Sequence, residues 1–391
     1  MAGTKSSAKW PMVKLGELYR KTKSVDPRKY PDQPFVLYSV PAFDENEPER
    51  LVGSEIGSSK TILENGDVLL SKIVPHIRRS WVVGSHEGQV VGSSEWIVFN
   101  DERFDARFLQ HFLISDIFHA KLMTTVAGVG GSLSRARPSS VALIPIPLPP
   151  LDEQRRIADI LDVSQDLCRK AEHQLLNLNG LLASYFAGVF SNVVKSQPLG
   201  EMLRAKPEYG IGAPSTEFDQ TIGRYIRITD ITEQGLLRSD SVRSPDFSEK
   251  TYPQAKIVND GDLLVARTGA TVGKSYLHRT ESSNPFWYAG YLIRFRIDPA
   301  IVQPEIVYDF MHTPAYWAWV EARKRTVAQP NINAQIYCKE LKIPVPEKGV
   351  ADKYLEVRKL VTGQIEVAKE RLFKLNELHK SLSIRAFQGE L

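Results

Sequence analysis

The sequence predicts an α+β chain in which two pseudo-repeated β-rich domains are separated by two long helices. Three observations carry this. Five short segments recur in the same order in the two halves of the 391 residues. Each half opens on short apolar runs punctuated by Gly and Pro and ends them at a proline-rich stop. Each stop is followed by a long stretch whose apolar residues alternate at spacings of four and three.

The recurrences begin with "KLGEL" (14–18) and "PLGEML" (198–203). "ENGDVLLSKIVPHIRRS" (64–80) is echoed by "NDGDLLVARTGATVGKS" (259–275), and "ARFLQHFLIS" (106–115) by "PEIVYDFMHT" (304–313). "LIPIPLPP" (143–150) answers "LKIPVPEK" (341–348), and "ASYFAGVF" (183–190) answers "SIRAFQGEL" (383–391). The offset drifts one way, from 195 at Gly66/Gly261 to 199 at Ile144/Ile343 and 201 at Gly188/Gly389. A duplicated unit with small loop insertions produces that drift. Within each half, runs such as "DVLLSKI", "WIVFN", "GDLLVAR" and "YLIRFRI" read as strands.

The first helical stretch follows "PLPPL", with Asp152 and Glu153 in its first turn, where acidic groups suit the helix dipole. Ile157, Leu161, Ser164, Cys168, Ala171, Leu175, Leu178, Leu182, Tyr185 and Val189 line one seam. The second stretch gives Val361, Ile365, Ala368, Leu372, Leu375, His379, Leu382 and Ala386. Two arrangements fit a heptad seam: each helix packs on its own domain, or the two pair with each other. Their length, about 60 Å at 1.5 Å per residue, and the narrowness of both seams favour an antiparallel pair that spaces the domains. The predicted division is a first domain over 1–150, a helix over 151–192, a second domain over 193–348 and a helix over 349–391.

Composition narrows the function classes. A net charge of +4 and a pI near 8.8 permit a nucleic-acid partner without requiring one. Cys168 and Cys338 lie far apart with no metal-ligand spacing, so they read as structural thiols and no metal is expected. The segment "MAGTKSSAKW" lacks an apolar leader core and no run is long enough to span a membrane, so the expectation is a cytoplasmic protein.

One motif invites a different reading. "ARTGATVGKS" (266–275) nearly spells a phosphate-cradling loop, but Thr268 stands where its first glycine belongs. The duplicated "SKIVPHIRRS" (71–80) keeps no Gly-Lys pair, and "YLHRTESSNPFWYAG" after Ser275 reads as strand, not as the helix such a loop must open. An ATP site is not expected.

The sequence resembles the specificity subunits of type I restriction–modification systems. The resemblance is carried by "IPIPLPPLDEQRRIADILD" (144–162), "GDLLVARTGATVGK" (261–274), "AFQGEL" (386–391) and the doubled plan, and it covers the whole chain. Two places depart from the pattern: "KIPVPEKGVADKYLEV" lacks the Glu-Gln pair, and "GDVLLSKIVPHIRRS" has lost the glycines. The resemblance implies two target recognition domains, each reading half of a bipartite double-stranded DNA site. The helices would set the unread gap and join two methyltransferase subunits, through which motor-nuclease subunits attach. It implies no catalysis and no cofactor in this chain, with S-adenosylmethionine, ATP and Mg confined to the partner subunits.

DNA affinity comes mainly from Lys and Arg on phosphates, whereas sequence is read by side chains at base edges. The candidates are therefore basic and amide residues at turns of the two domains. In the first they are Lys72, His76, Arg78, Arg79, Arg135 and Arg137, the last two in "AGVGGSLSRARPSS". In the second they are Arg267, Thr268, Lys274, Arg323, Lys324, Arg325, Asn331 and Asn333. The aromatic groups "FWYAGY" (286–291) and "YWAW" (316–319) suit a domain core better than base stacking. The competing functions are a nuclease or methyltransferase in its own right, and a coiled-coil adaptor without DNA. Neither "NPP" nor "DPP" followed by an aromatic occurs, and no Asp…Glu-x-Lys grouping sits on a convincing strand pair.

Overall fold

The structure is a computed structural model that describes residues 10–127, 134–191, 193, 195–238, 241–279, 284–324 and 330–391. It divides into two compact units. One comprises Met1–His173 with Lys369–Leu391, and the other Gln174–Ala368. The predicted helices are present as Leu151–Phe190 and Lys348–Gln388, so each helix contributes turns to both units.

The centre of the first unit is a three-stranded antiparallel sheet in the order Ser80–Val82, Val68–Ser71, Trp96–Phe99. Strands Val68–Ser71 and Trp96–Phe99 are buried on both faces, as their apolar runs require. Helices Ala106–Ile114 and Asp116–Met123 cover one face, with Asp105 and Ser115 capping them through side-chain oxygens. Phe108 and Phe112 meet the ring of Phe387 edge-on, so the end of the second long helix completes this core. A second sheet orders Ser24–Val25, Lys60–Ile62, Gln89–Gly92, Pro34–Tyr38 and Glu49–Val52, with 34–38 parallel to 89–92.

The second unit holds a four-stranded sheet ordered Glu208–Tyr209, Leu292–Arg296, Asp262–Ala266, Ser275–Leu277. A parallel pair, Arg224–Ile226 with Phe286–Tyr288, lies beside it in sequence. The two segments read from the sequence as "LGEL" and "LGEM" both form 3-10 turns. Leu15 N–H donates to Ile144 and Leu199 N–H to Leu341, which anchors each turn beside its proline-rich stop. The glycines there have a packing reason: a Cβ on Gly16 would stand 2.8 Å from Ala142 Cβ, and one on Gly200 2.9 Å from Cys338 Cβ.

Helix pairing is visible inside each unit. In the first, Ser164 Oγ lies 2.7 Å from His379 Nδ1, and Arg156 donates to the Leu391 carbonyl at 3.0 Å. In the second, Tyr354 stacks on Tyr185 at 5.6 Å and meets Phe186 and Phe190 edge-on. Low numbers of one helix face high numbers of the other, so the two run antiparallel. Every predicted seam residue is buried or half-buried, while Leu176, Leu181, Leu360 and Phe373, which lie off the seam, are exposed. The seam shifts at one end, where Phe186 and Phe190 rather than Val189 are the fully buried residues. A helix of 3.6 residues per turn drifts off a strict heptad, and these last turns also join the core of the second unit.

Two histidines of the first unit give a measurable pH response. Burial pushes the imidazoles of His111 and His379 below their ordinary value; for His111 this outweighs the Asp162 carboxylate 2.7 Å from its Nε2. A group lowered on folding contributes stability above its unfolded pKa, near about 6.5, and loses it as the pH falls. Urea unfolding is expected to show stability dropping between pH 8 and 5.5, by at most about 1.4 kcal/mol per pH unit for each histidine. The double variant H111Q/H379Q should make that slope shallower without removing it, because burial also holds His119, His278 and His312 low; an equally steep slope in the variant would refute the assignment.

Candidate nucleic-acid interface

Both central sheets carry the Gly-Asp turn found twice in the sequence. Gly66 and Gly261 have φ of 85° and 79°, the left-handed region in which a β-carbon is strained. Asp67 and Asp262, both wholly buried, accept the N–H of Glu64 at 2.8 Å and of Asn259 at 2.9 Å. From this turn a buried strand leads to a loop, Lys72–Arg79 in one unit and Arg267–Lys274 in the other.

Each loop is hydrogen-bonded to the second basic segment of its own unit. In the first, Ala136 N–H donates to the Lys72 carbonyl at 2.8 Å, Ile73 bridges Arg135, and Val74 N–H donates to Ser134 at 3.1 Å. In the second, Ile332 N–H donates to the Arg267 carbonyl at 3.0 Å, Thr268 bridges Asn331, and Gly269 N–H donates to Pro330 at 3.2 Å. Segments 64 residues apart in the first unit (Lys72 and Ala136) and 65 in the second (Arg267 and Ile332) thus form one edge in each, and the same bonds recur at matching positions. Val74, with φ 49°, is a β-branched residue in the left-handed region, a costly backbone placed at the exposed loop.

The predicted residues divide by what their side chains meet. Arg79 is 8% exposed and makes a two-pronged bond to Asp44 at 2.8 Å, so it holds the domain together. Lys274, at the corresponding place, pairs with Glu233 at 2.7 Å and is largely covered. Asn333 caps helix Ala334–Glu340 by accepting the Ile336 N–H. Arg323 pairs with Glu340 and lies 4.0 Å from the Trp319 ring, and Lys324 pairs with Glu321 and faces Trp317.

On the first unit's exposed edge, Arg78 pairs with Asp116 and Arg135 with Glu95, and Lys72 donates to the Ser94 carbonyl. His76 and Arg137 are exposed. On the second unit's edge Asn331 is exposed and Thr268 half-exposed. Arg267 differs from Arg78, Arg79, Arg135 and Arg323: among the described residues it has no ion pair and no side-chain hydrogen bond, and it lies 4.6 Å over the Tyr209 ring. Arg325 lies outside the described residues, as does most of the glycine-rich segment before Ser134.

The aromatic groups behave mainly as core. Trp287, Tyr288 and Tyr316 are buried, but Tyr291 is 58% exposed beside Arg267, whose N–H donates to the Tyr291 carbonyl at 3.1 Å. Tyr209 is 37% exposed. Sequence reasoning missed Tyr209 because it joins the edge by pairing of strand 208–209 with 292–296, which no local pattern announces.

The near-miss phosphate loop is a β-hairpin. Residues 262–266 run antiparallel to 275–277 across a 3-10 turn, Gly269–Thr271, and no helix begins there. Gly273 (φ 93°) is needed for packing, since a Cβ would meet Val320 at 3.0 Å and Trp317 at 3.2 Å. Among the described residues no cluster of potential metal ligands occurs, and no helix is long and apolar enough to cross a membrane.

Comparison with known proteins agrees with this architecture. Residues 8–178 match the family described as type I restriction modification DNA specificity domain. The chain is 24% identical over 306 residues to the type I restriction enzyme EcoKI specificity subunit of Escherichia coli K12, covering 73% of this chain and 65% of that protein. It is also 24% identical over 263 residues to the MjaVIII specificity subunit of Methanocaldococcus jannaschii, covering 59% and 61%. The chain therefore aligns with less than two thirds of the length of either relative. Its fold resembles the type I restriction–modification S subunit from M. genitalium, with a TM-score of 0.58 at 13% identity over 99% and 98% of the two chains. It also resembles a chain from a study of complex assembly and conformational transition in a type I system, with a TM-score of 0.55 at 18% identity over 98% of each. By the matched domain, the relatives and the shared fold, the chain is similar to the type I restriction–modification specificity subunits.

Proposed function

We propose that this chain is the non-catalytic DNA-recognition subunit of a type I restriction–modification complex. Each unit reads one half of a bipartite double-stranded site, and the paired helices form a coiled coil that sets the gap. The observation that carries the reading is the recurrence of one loop-to-loop hydrogen-bonding pattern, at Lys72/Ala136 and at Arg267/Ile332, on a basic edge of each unit. Two copies of one edge suit two half-sites, because direct readout needs a fixed backbone from which side chains reach base edges. Two methyltransferase subunits dock on the chain, and motor-nuclease subunits join through them. S-adenosylmethionine, ATP and Mg belong to those partners.

The test is genomic. Mapping methylated adenines in the host before and after deletion of this chain is expected to show one bipartite motif vanish. Exchange of residues 1–150 for those of a relative should then alter one half-site and leave the other unchanged. Persistence of every motif after deletion would end the proposal, and a change in both half-sites would end the division of labour between units.

A further inference from the structure

We infer that Arg267 is the specificity-determining residue of the second unit, reading a guanine in the major groove, with Tyr209 as its positioning residue. The inference rests on the proposed role in DNA recognition and goes further by naming the base and the side chain.

Arg267 is fixed at every level except its tip. Its N–H is given to Tyr291 and its carbonyl takes the Ile332 N–H, so the backbone is pinned from both sides. Its guanidinium lies 4.6 Å from the Tyr209 ring centre, where cation and ring attract and the side chain loses rotamer freedom before any ligand arrives. Tyr209 is itself held: its hydroxyl accepts the Ala334 N–H at 3.3 Å and its carbonyl accepts from Lys256 Nζ at 3.0 Å.

The nitrogens of Arg267 are not equivalent. Nε is buried without a hydrogen-bond partner, a costly arrangement for a donor. The two terminal nitrogens make no hydrogen bond among the described residues either, yet they are not among the buried atoms lacking partners, so they reach the surface. What remains available is an end-on fork of two donors, which matches O6 and N7 of guanine. A phosphate contact would not need the fork oriented in advance. Among the other basic candidates, Arg78, Arg79, Arg135, Lys274, Arg323 and Lys324 each spend their charge on a carboxylate. The position matching Arg267 in the first unit is Lys72, whose ammonium is given to the Ser94 carbonyl. The two units therefore read their halves with different chemistry.

The experiment selects bound sequences from a randomised duplex library, using the full chain co-purified with its methyltransferase partners. Wild type is expected to yield a bipartite motif with an invariant guanine in the half read by the second unit. R267Q should lose preference at that one position by roughly 5- to 150-fold while the rest of the motif stands. R267K keeps the charge and stem but lacks the fork, so it should relax the same position; it decides the matter if R267Q does not fold. Y209F should retain the guanine and Y209L should weaken it at that position alone. An unchanged motif with uniformly weaker binding would make Arg267 a phosphate contact and overturn the inference while sparing the proposed function. A wild-type library without any bipartite motif would overturn both.

Discussion

Inserting seven residues after Leu175 in the first long helix, and seven after Ile365 in the second, is expected to widen the gap of the recognised site and leave both half-sites unchanged. Seven residues complete two turns, so the seam through Leu161, Cys168 and Ala171 on one helix and Ile365 and Ala368 on the other keeps its register. They add about 10 Å of rise. At about 3.4 Å per base pair, the gap grows by at most about three base pairs. The same insertion in one helix alone is expected to abolish recognition, because Ser164 would no longer meet His379 while Tyr354 still met Phe186. Adenine-methylation mapping reads the result directly. A motif with its original spacing after the matched insertion would remove the helices from any role as a ruler.

The second large effect concerns stability. Arg294 is wholly enclosed, donating to the Ile257 and Ala255 carbonyls at 2.8 and 2.7 Å and pairing with Asp262 at 3.3 Å and Glu208 at 3.0 Å. Asp262, also wholly buried, has a second carboxylate oxygen with no hydrogen-bond partner among the described residues. R294A leaves that charge unanswered in the core of the Gly-Asp turn, which is expected to cost about 3–5 kcal/mol. For a unit of this size the thermal midpoint falls by roughly 6–20 °C. The double variant R294M/D262N removes both charges and should recover much of the loss, since the penalty lies in the orphaned ion. A shift of under about 2 °C for R294A would contradict the account. In the first unit the matching Asp67 is answered instead by Arg20 at 2.9 Å and Asn100 at 2.9 Å, from other elements of the fold.

That difference marks where sequence reading stopped. The Gly-Asp turn, the apolar strands, the proline-rich stops and the two long helices were legible because each is a local pattern: glycine at positive φ, alternation, fixed φ at proline, heptad spacing. What could not be read was which cations remain free. Arg79 and Arg267 both look like loop arginines, yet Arg79 is spent on Asp44, 35 residues away, and Arg267 on no acid among the described residues.

The sequence by itself determined the recurring segments, the helix lengths and the family resemblance, since periodicity and motif order are properties of neighbours along the chain. Only the tertiary structure decided that Tyr209 supports Arg267, that Phe186 and Phe190 take over the helix seam, and that Asp67 and Asp262 are neutralised by unrelated arginines. A charge is paired, or left available, by whatever the fold brings within about 4 Å of it, and that distance is set by strand pairing and packing between segments far apart in sequence.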